Sequence, residues 1–226
     1  MTLVDPRQPP SLPLGSEPVI GAWSGDTAVM TSDEPAYWDA LAPEFDTEPD
    51  HGLLDAEVRG AWRALLLPLL PPRPARVADL GCGTGSVSVL LAEAGYDVTG
   101  LDFSAAMVSA AQAKAAGAGV EARFVVGDAS DPQLDVGAFD VVLSRHVLWA
   151  LPEPDLAIDR WITLLAPGGR LVLVEGCWST GAGLASEQVT SIVRCVREEA
   201  DLMLLDDDRL WGREITDERY LVVSLR

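Results

Sequence analysis

Three glycines follow a short apolar segment and an aspartate in Val77-Ala78-Asp79-Leu80-Gly81-Cys82-Gly83-Thr84-Gly85. Glycine lets a backbone turn sharply and approach a ligand closely, and the helix that starts after such a loop offers free N–H groups. This spacing predicts a nucleotide-like cofactor above Gly81 and Gly83, although an ordinary tight turn between strand and helix has the same pattern. The carboxylate of Asp79 favours positive charge on that cofactor.

A second carboxylate follows the next predicted strand. Asp102 lies 21 positions after Gly81, where it can accept hydrogen bonds from both hydroxyls of a ribose. Phe103 and Met107 can sandwich an adenine ring through aromatic and thioether contacts, or they can pack in the core. Ligands of open α/β sheets bind beyond the carboxyl ends of the strands, so these side chains are expected at one edge.

His146 is the candidate general base or acceptor-orienting residue. It follows the fourth predicted strand, and an imidazole titrates near neutral pH. The alternative is a histidine that packs or bonds to backbone. His51 is the reserve candidate, with capping of a helix as its alternative role. Glu175, after the fifth predicted strand, can bind a cationic acceptor or be a solvated carboxylate.

Short apolar segments alternate with helical periodicity from residue 75 onward, which predicts a doubly wound, mostly parallel sheet with helices on both faces. The predicted strands are 76–80, 97–101, 122–126, 139–144, 170–175, 202–205 and 220–224. The predicted helices are 35–42, 52–70, 84–94, 104–116, 154–165 and 186–199. Pro68, Pro71, Pro72 and Pro74 end the second helix.

These elements divide the chain into three parts. Residues 1–33 are rich in turn formers and are expected to be mobile, 34–74 form a helical cap or lid, and 75–226 form a Rossmann-like domain. The start of the chain does not resemble a secretory signal. We therefore expect a cytoplasmic protein.

Composition limits the possible partners. The net charge of −19 disfavours phosphate backbones, so nucleic acid is not an expected partner, and no apolar run is long enough to span a membrane. An acidic surface can attract cationic amines but more often serves solubility. The three separated cysteines indicate reduced thiols and no metal site.

The pattern Asp79-x-Gly81-x-Gly83-x-Gly85 resembles motif I of the class I S-adenosylmethionine-dependent methyltransferases, and the resemblance extends over 76–175. It implies a Rossmann-like sheet of seven strands, the last antiparallel, with an N-terminal helical cap. It also implies S-adenosylmethionine as the cofactor, with Asp79 acting on its ammonium group through water or backbone.

The resemblance assigns further residues to the cofactor. Asp102 would bind the ribose, Asp128 the adenine amine, and the backbone N–H of Ala129 a ring nitrogen. Asp128 taken alone is more readily interpreted as the cap of a turn. Ser144 and His146 end the strand where the family places cofactor and substrate contacts.

The segment from Tyr37 to Asp46 resembles the aromatic-Asp segment of small-molecule members, which folds over the cofactor. Tyr37 keeps its phenol, whereas Phe45 stands where the family usually has tyrosine, so no hydroxyl contact is expected there. The predicted aromatic acceptor pocket consists of Trp38, Phe45, His51, Trp149 and Trp178.

The chain is therefore predicted to transfer a methyl group to oxygen, nitrogen or carbon of a small molecule in specialised metabolism, as a monomer or homodimer. Motifs of nucleic-acid methyltransferases (Asn/Asp-Pro-Pro-Tyr/Phe and Pro-Cys) are missing after the fourth strand. An NAD-dependent oxidoreductase is one alternative, disfavoured because Ser86 replaces the third glycine of a dinucleotide fingerprint. A non-catalytic cofactor-binding partner protein is the other.

Overall fold

The computed structural model describes residues 34–179 and 181–225; the segment 1–33, predicted to be mobile, lies outside the described residues. The helices are α1 (Glu34–Leu41), α2 (Pro49–Gly52), α3 (Ala56–Leu66), α4 (Ser86–Glu93), α5 (Ala105–Ala118), α6 (Pro154–Thr163) and α7 (Ser186–Val196). The strands are β1 (Arg76–Leu80), β2 (Asp97–Asp102), β3 (Arg123–Val126), β4 (Phe139–Arg145), β5 (Leu165–Cys177), β6 (Asp201–Leu204) and β7 (Glu218–Ser224).

The seven strands form one sheet in the order β3-β2-β1-β4-β5-β7-β6. The first five strands of that order pair in parallel, whereas β7 is antiparallel to both β5 and β6. The direction of the chain across the sheet reverses between β1 and β4, which is where doubly wound sheets bind ligands. The predicted fold class, including the antiparallel last strand, is confirmed.

The predicted helix over 52–70 is wrong in its bounds, because the chain forms α2 and α3 separately, with a 3₁₀ turn at Leu67–Leu69. Leu53 ends α2 with a left-handed backbone (φ 49°), and the Asp55 side chain caps α3 by accepting from the N–H groups of Glu57 and Val58. Each helix therefore has its own start and end signal.

Strand β5 begins earlier than predicted. Leu165 already pairs with Phe139 of β4, and regular pairing resumes at Val141 opposite Arg170. Gly168 lies between these pairs with φ 78°, a value that favours glycine. The Ala166-Pro167-Gly168-Gly169 turn is thus an irregularity within the strand.

The apolar core fills both faces of the sheet. One face is covered by α3, α4 and α5, and its largest buried side chains include Trp62 and Trp211, whose ring centroids lie 5.5 Å apart. The other face is covered by α6 and α7 around Trp161. Among the described residues, no helix is both long and apolar enough to cross a bilayer.

Candidate functional site

The glycine loop turns sharply at the carboxyl end of β1. Gly81, Gly83 and Gly85 all have positive φ, at 71°, 54° and 76°. The N–H groups of Gly81 and Cys82 both donate to the carbonyl of Leu101, at 2.7 and 3.0 Å. The loop is therefore fixed to β2 before it enters α4, and its glycines expose backbone toward the crevice.

Asp102 fastens the loop to the start of α5. Its carboxylate accepts the Gly83 N–H at 2.8 Å and the Ser104 N–H at 2.9 Å. Burial raises the pKa of Asp102, although the two N–H groups oppose the shift. A carboxylate has about four lone-pair sites. Asp102 can therefore hold the loop and still accept from ligand hydroxyls.

Asp79 lies beneath the loop. Its side chain is 2% exposed and accepts a hydrogen bond of 2.5 Å from the Ser88 hydroxyl. Burial raises its pKa to about 6, while Ser88 and the nearby Arg145 act in the opposite direction. The structure thus places this carboxylate among protein partners, where it can act on a ligand only through the loop or through water.

The residues predicted around an adenine ring surround the ends of β2 and β3. Phe103 is half-buried and Met107 is 1% exposed. Asp128 is exposed and accepts the Ser130 N–H at 2.7 Å, while the carbonyl of the buried Ala129 accepts from Trp161 Nε1 at 2.7 Å. Asp128 therefore caps a turn through one carboxylate oxygen. Among the described residues, its other carboxylate oxygen accepts no hydrogen bond.

Within the predicted N-terminal cap, residues 34–74, aromatic side chains cluster next to the glycine loop. The Phe45 ring stacks on His51 with centroids 4.4 Å apart and lies against Gly83, where an added Cβ would be 3.3 Å from Phe45 Cε1. Trp38 lies 6.3 Å from Phe45, and Tyr37, 45% exposed, lies 5.6 Å from Trp38. The predicted cap aromatics are therefore brought together.

Asp39 attaches the cap to the beginning of α5. It accepts from the Ser104 hydroxyl at 2.5 Å and from the Ala106 N–H at 3.0 Å. These bonds lower the pKa of Asp39. The cap is thereby docked one residue from the predicted adenine contact at Phe103.

His146 begins an aromatic cluster beyond β4. Its backbone is left-handed (φ 59°), and its N–H donates to the Val174 carbonyl at 2.8 Å. The ring stacks on Trp211 at 5.8 Å and meets Trp178 edge-on at 5.4 Å. Trp149 lies 5.2 Å from Trp178, so the predicted acceptor residues on this side are adjacent.

His146 is a neutral imidazole at physiological pH. Burial lowers its pKa well below the usual value, and the positive charges of Arg145 and Arg219 lower it further. Its Nε2 is buried and has no hydrogen-bond partner in the described part of the chain. Buried polar atoms normally have partners, so an unsatisfied nitrogen at a sheet edge marks a place for a ligand or water.

Two arginines that sequence analysis did not identify, the buried Arg219 and the half-buried Arg145, lie near His146. The guanidinium of Arg219 lies 5.1 Å from the Trp178 ring and 5.2 Å from the Trp211 ring. Arg145 lies 5.0 Å from the Trp62 ring and donates to the Asp50 carbonyl, which ties the cap to β4. Trp211 and Arg219 come from a region without any motif, so only the fold reveals them.

Glu175 is not the solvated carboxylate considered as one alternative, because it is fully buried. Its Oε1 accepts the N–H groups of Val147 and Leu148 at 3.0 and 2.8 Å. Burial raises its pKa to about 8, against the effect of these bonds. Glu175 therefore holds the loop after His146 and is mostly protonated at neutral pH.

Ser144 is also internal. It is fully buried, and its hydroxyl donates to the Leu80 carbonyl at 3.0 Å, which links the ends of β4 and β1. No group of His, Cys, Asp and Glu that could hold a metal ion occurs among the described residues. The three cysteines are free thiols.

The family model of a methyltransferase domain matches residues 78–173. These residues run from the strand before the glycine loop into β5 and include Asp102, Asp128 and His146. The match therefore covers the parallel part of the sheet and both sides of the crevice.

Two curated relatives are similar over this region. The demethylmenaquinone methyltransferase of Thermus thermophilus is 35% identical over 137 residues, which cover 60% of this chain and 62% of the relative. The ubiquinone biosynthesis O-methyltransferase of Xanthomonas axonopodis pv. citri is 32% identical over 138 residues, covering 61% of this chain and 54% of the relative. The match thus spans less than two thirds of either relative.

The fold is shared with a solved methyltransferase. The geranyl diphosphate C-methyltransferase from Streptomyces coelicolor A3(2), crystallised with Mg²⁺, geranyl diphosphate and S-adenosyl-L-homocysteine, aligns with a TM-score of 0.63 at 16% identity. The alignment covers 74% of this chain and 79% of that one. At this identity the likeness is one of fold.

Proposed function

We propose that the chain is a class I S-adenosylmethionine-dependent methyltransferase, which transfers a methyl group from S-adenosylmethionine to a small-molecule acceptor. One observation carries the proposal: the residues matched by the family model converge on a single sheet edge, with backbone and carboxylates on one side and His146 on the other.

The cradle fits the cofactor. An added Cβ on Gly81 would lie 2.2 Å from Val147 Cγ2, and one on Gly83 would lie 3.3 Å from Phe45 Cε1, so the loop requires glycine where Val147 and Phe45 pack against it. Asp102 retains free lone pairs for ribose hydroxyls. The proposed cofactor site comprises Tyr37, Asp79, Gly81, Gly83, Asp102, Phe103, Met107, Asp128 and Ala129, whereas the predicted contact Ser144 is fully buried and donates to the Leu80 carbonyl.

S-adenosylmethionine supplies a methyl carbon attached to a positively charged sulfur. The protein must hold the acceptor atom in line with that carbon and exclude water, and good alignment contributes up to about 7–11 kcal/mol. Phe45 lies against Gly83, and Trp38 and His51 pack against Phe45, which supports a covering role for these aromatic rings. Residues 34–74 are therefore proposed to act as a lid.

His146 is proposed to orient the acceptor and to accept its proton. A hydroxyl acceptor loses its proton as its oxygen bonds to carbon, and a neutral imidazole can take that proton at Nε2. Burial and the adjacent arginines keep the imidazole neutral. Amine or carbon acceptors would use the same position mainly for orientation.

The acceptor is proposed to be aromatic. Trp149 and Trp178 lie beside His146, and the guanidinium of Arg219, paired with Asp217 at 3.5 Å, lies between the Trp178 and Trp211 rings. The two relatives are named for demethylmenaquinone and ubiquinone biosynthesis. These observations favour a phenol or quinol over a cationic amine or a nucleic acid.

Two measurements test the proposal. Calorimetric titration should show heat with S-adenosylhomocysteine and none with NAD; binding of NAD alone would support the oxidoreductase alternative. Transfer of a radiolabelled methyl group to a panel of phenols and quinols should then be detectable. Cofactor binding without transfer to any of them would favour the non-catalytic alternative. The cytoplasmic location and the monomer or homodimer state stay predictions.

A further inference from the structure

Lys114 is the only lysine in the sequence, and it points into the protein from α5. Its side chain is 20% exposed. The Nζ atom lies 2.9 and 2.8 Å from the two carboxylate oxygens of Asp46, 3.0 Å from Thr84 Oγ1 and 2.5 Å from Ser86 Oγ. One ammonium group thus contacts three partners.

These partners belong to three different parts of the molecule. Asp46 lies in the 3₁₀ turn Phe45–Thr47 of the cap, Thr84 in the glycine loop, and Ser86 at the first position of α4. The partners also bond to each other and to the cap. Thr84 donates to Asp46 at 2.5 Å, and Ser86 donates to the Gly52 carbonyl at 3.1 Å.

The position of Asp46 gives this network a consequence for the cofactor site. Its neighbour Phe45 is the ring that lies over Gly83 and stacks on His51. A group that holds Asp46 therefore also sets the height of Phe45 above the glycine loop. The ammonium group of Lys114 itself contacts Asp46, Thr84 and Ser86, so it acts on Phe45 through Asp46.

We propose that Lys114 is a positioning residue that latches the cap to the glycine loop through Asp46 and so retains the bound cofactor. This inference rests on the proposed function, since it deepens the role of the same site. The latch is reversible, because Thr84 and Ser86 still accept hydrogen bonds from the ammonium group when the cap moves away and Asp46 with it. Release therefore does not strand a buried charge.

The strength of the latch follows from its environment. Burial lowers the pKa of Lys114, and the hydrogen bond and charge of Asp46 raise it again. Charge-assisted hydrogen bonds in partly buried sites are stronger than neutral ones or exposed ion pairs. Loss of Asp46 should thus matter more than loss of an ordinary surface pair.

The first experiment measures binding of S-adenosylhomocysteine to the full chain and to Lys114→Met, Asp46→Asn and the double variant. Each single change should weaken binding about tenfold, and the double change should weaken it little further, because both remove the same interaction. Lys114→Arg should restore part of the affinity. Unchanged affinity in folded single variants, or effects that simply add, would overturn the latch.

Arg76→Met is the matched control. Arg76 forms an ion pair of 3.4 Å with Asp140 at the amino ends of β1 and β4, opposite the candidate site. Its loss should leave cofactor affinity unchanged. An equal loss of affinity in this variant would show that any ion pair matters, which would contradict a specific role for Lys114.

The second experiment uses the uniqueness of Lys114 and needs no methyl transfer. An amine-acylating reagent should modify Lys114 at least about tenfold faster in Asp46→Asn than in the unchanged protein, as read by mass spectrometry of peptides cut at arginine. Saturating S-adenosylhomocysteine should slow the reaction in the unchanged protein. Equal rates with and without Asp46 would refute the latch.

The proposed function and the proposed latch can be refuted separately. If the unchanged protein does not bind S-adenosylhomocysteine, the proposed function fails, while the difference in acylation between the unchanged protein and Asp46→Asn still decides whether the latch exists. If the unchanged protein binds the cofactor and every variant binds it equally, the function stands and the latch fails.

Discussion

The crevice has two halves that are built from different chemical groups, one half proposed for the cofactor and the other for the acceptor. The cofactor half, at the ends of β1, β2 and β3, consists of backbone turns held by carboxylates, as in the bonds from Gly83 and Ser104 to Asp102. The acceptor half, at the ends of β4, β5 and β7, consists of His146, tryptophans and the Arg219 guanidinium.

The difference separates two kinds of specificity. Backbone turns and short hydrogen bonds fix one geometry, as a constant cofactor requires. A cluster of rings and cations presents flat apolar faces whose outline changes with each side chain. We therefore expect changes in the cofactor half to abolish function and changes in the acceptor half to redirect it.

The largest effect is expected from Gly81→Ala. The new Cβ would overlap Val147, and φ of 71° strains any residue but glycine. The free energy of unfolding should fall by about 2–4 kcal/mol, as measured by urea denaturation. Gly117→Ala is the control, since it meets nothing within 4 Å in α5, and should raise stability by about 0.5–1 kcal/mol.

His146→Asn probes the acceptor half, because asparagine tolerates the left-handed backbone at this position. Turnover of a methylated phenol or quinol should fall by about 100-fold, while affinity for S-adenosylhomocysteine should stay within error. Equal losses in turnover and in cofactor affinity would show that His146 contacts the cofactor. The two halves would then not be functionally distinct.

Asp102→Ala tests the cofactor half at its centre. The change leaves two backbone N–H groups without their acceptor and removes the predicted ribose contact. Cofactor binding should weaken by about 1–3 kcal/mol, as measured by calorimetry. A folded variant with unchanged affinity would show that Asp102 only shapes the loop.

Glu175→Gln should change the dependence of stability on pH. The folded protein keeps Glu175 protonated up to about pH 8, against 4.5 for the free group, so the stabilisation is complete at low pH and lost as pH rises toward 8. Between pH 6.5 and 8 the unchanged protein should lose up to about 1.4 kcal/mol per pH unit.

The glutamine variant should show a flatter profile in this range, since its amide oxygen still accepts from Val147 and Leu148. Asp79, whose pKa is about 6, and His146, whose pKa is lowered by burial, are present in both proteins, so their contributions cancel in this comparison. Identical slopes in thermal or urea unfolding at pH 6.5 and 8 would contradict a buried, protonated Glu175.

The fold was largely predictable because its signals are local. Alternating apolar segments located every strand, and β1 was predicted with its observed bounds, Arg76–Leu80. The error in 52–70 arose because the apolar periodicity continues across Leu53, whereas the break depends on its left-handed backbone and on the Asp55 cap. A helix N-cap such as Asp55 gives only a weak signal in the sequence, whereas its hydrogen bonds identify it in the structure.

The site was predictable to different degrees in its two halves. The glycine loop and Asp102 belong to one strand-loop-strand unit, so motif spacing located them. Trp211 and Arg219 reach the site only because β7 returns antiparallel to β5. Likewise, Lys114 is an unremarkable helical lysine until the cap folds over α5, and no short-range pattern reports that contact.

Strand β6 closes the sheet on one side, and no described strand pairs with its outer edge. Leu202, Met203 and Leu204 are 41%, 45% and 60% exposed there, which is a template for association between molecules. Asp201 and the run Asp206-Asp207-Asp208 flank this apolar stretch. Repulsion between these aspartates on two molecules opposes pairing of their β6 edges. High salt screens this repulsion and acid neutralises the carboxylates, so both should promote aggregation.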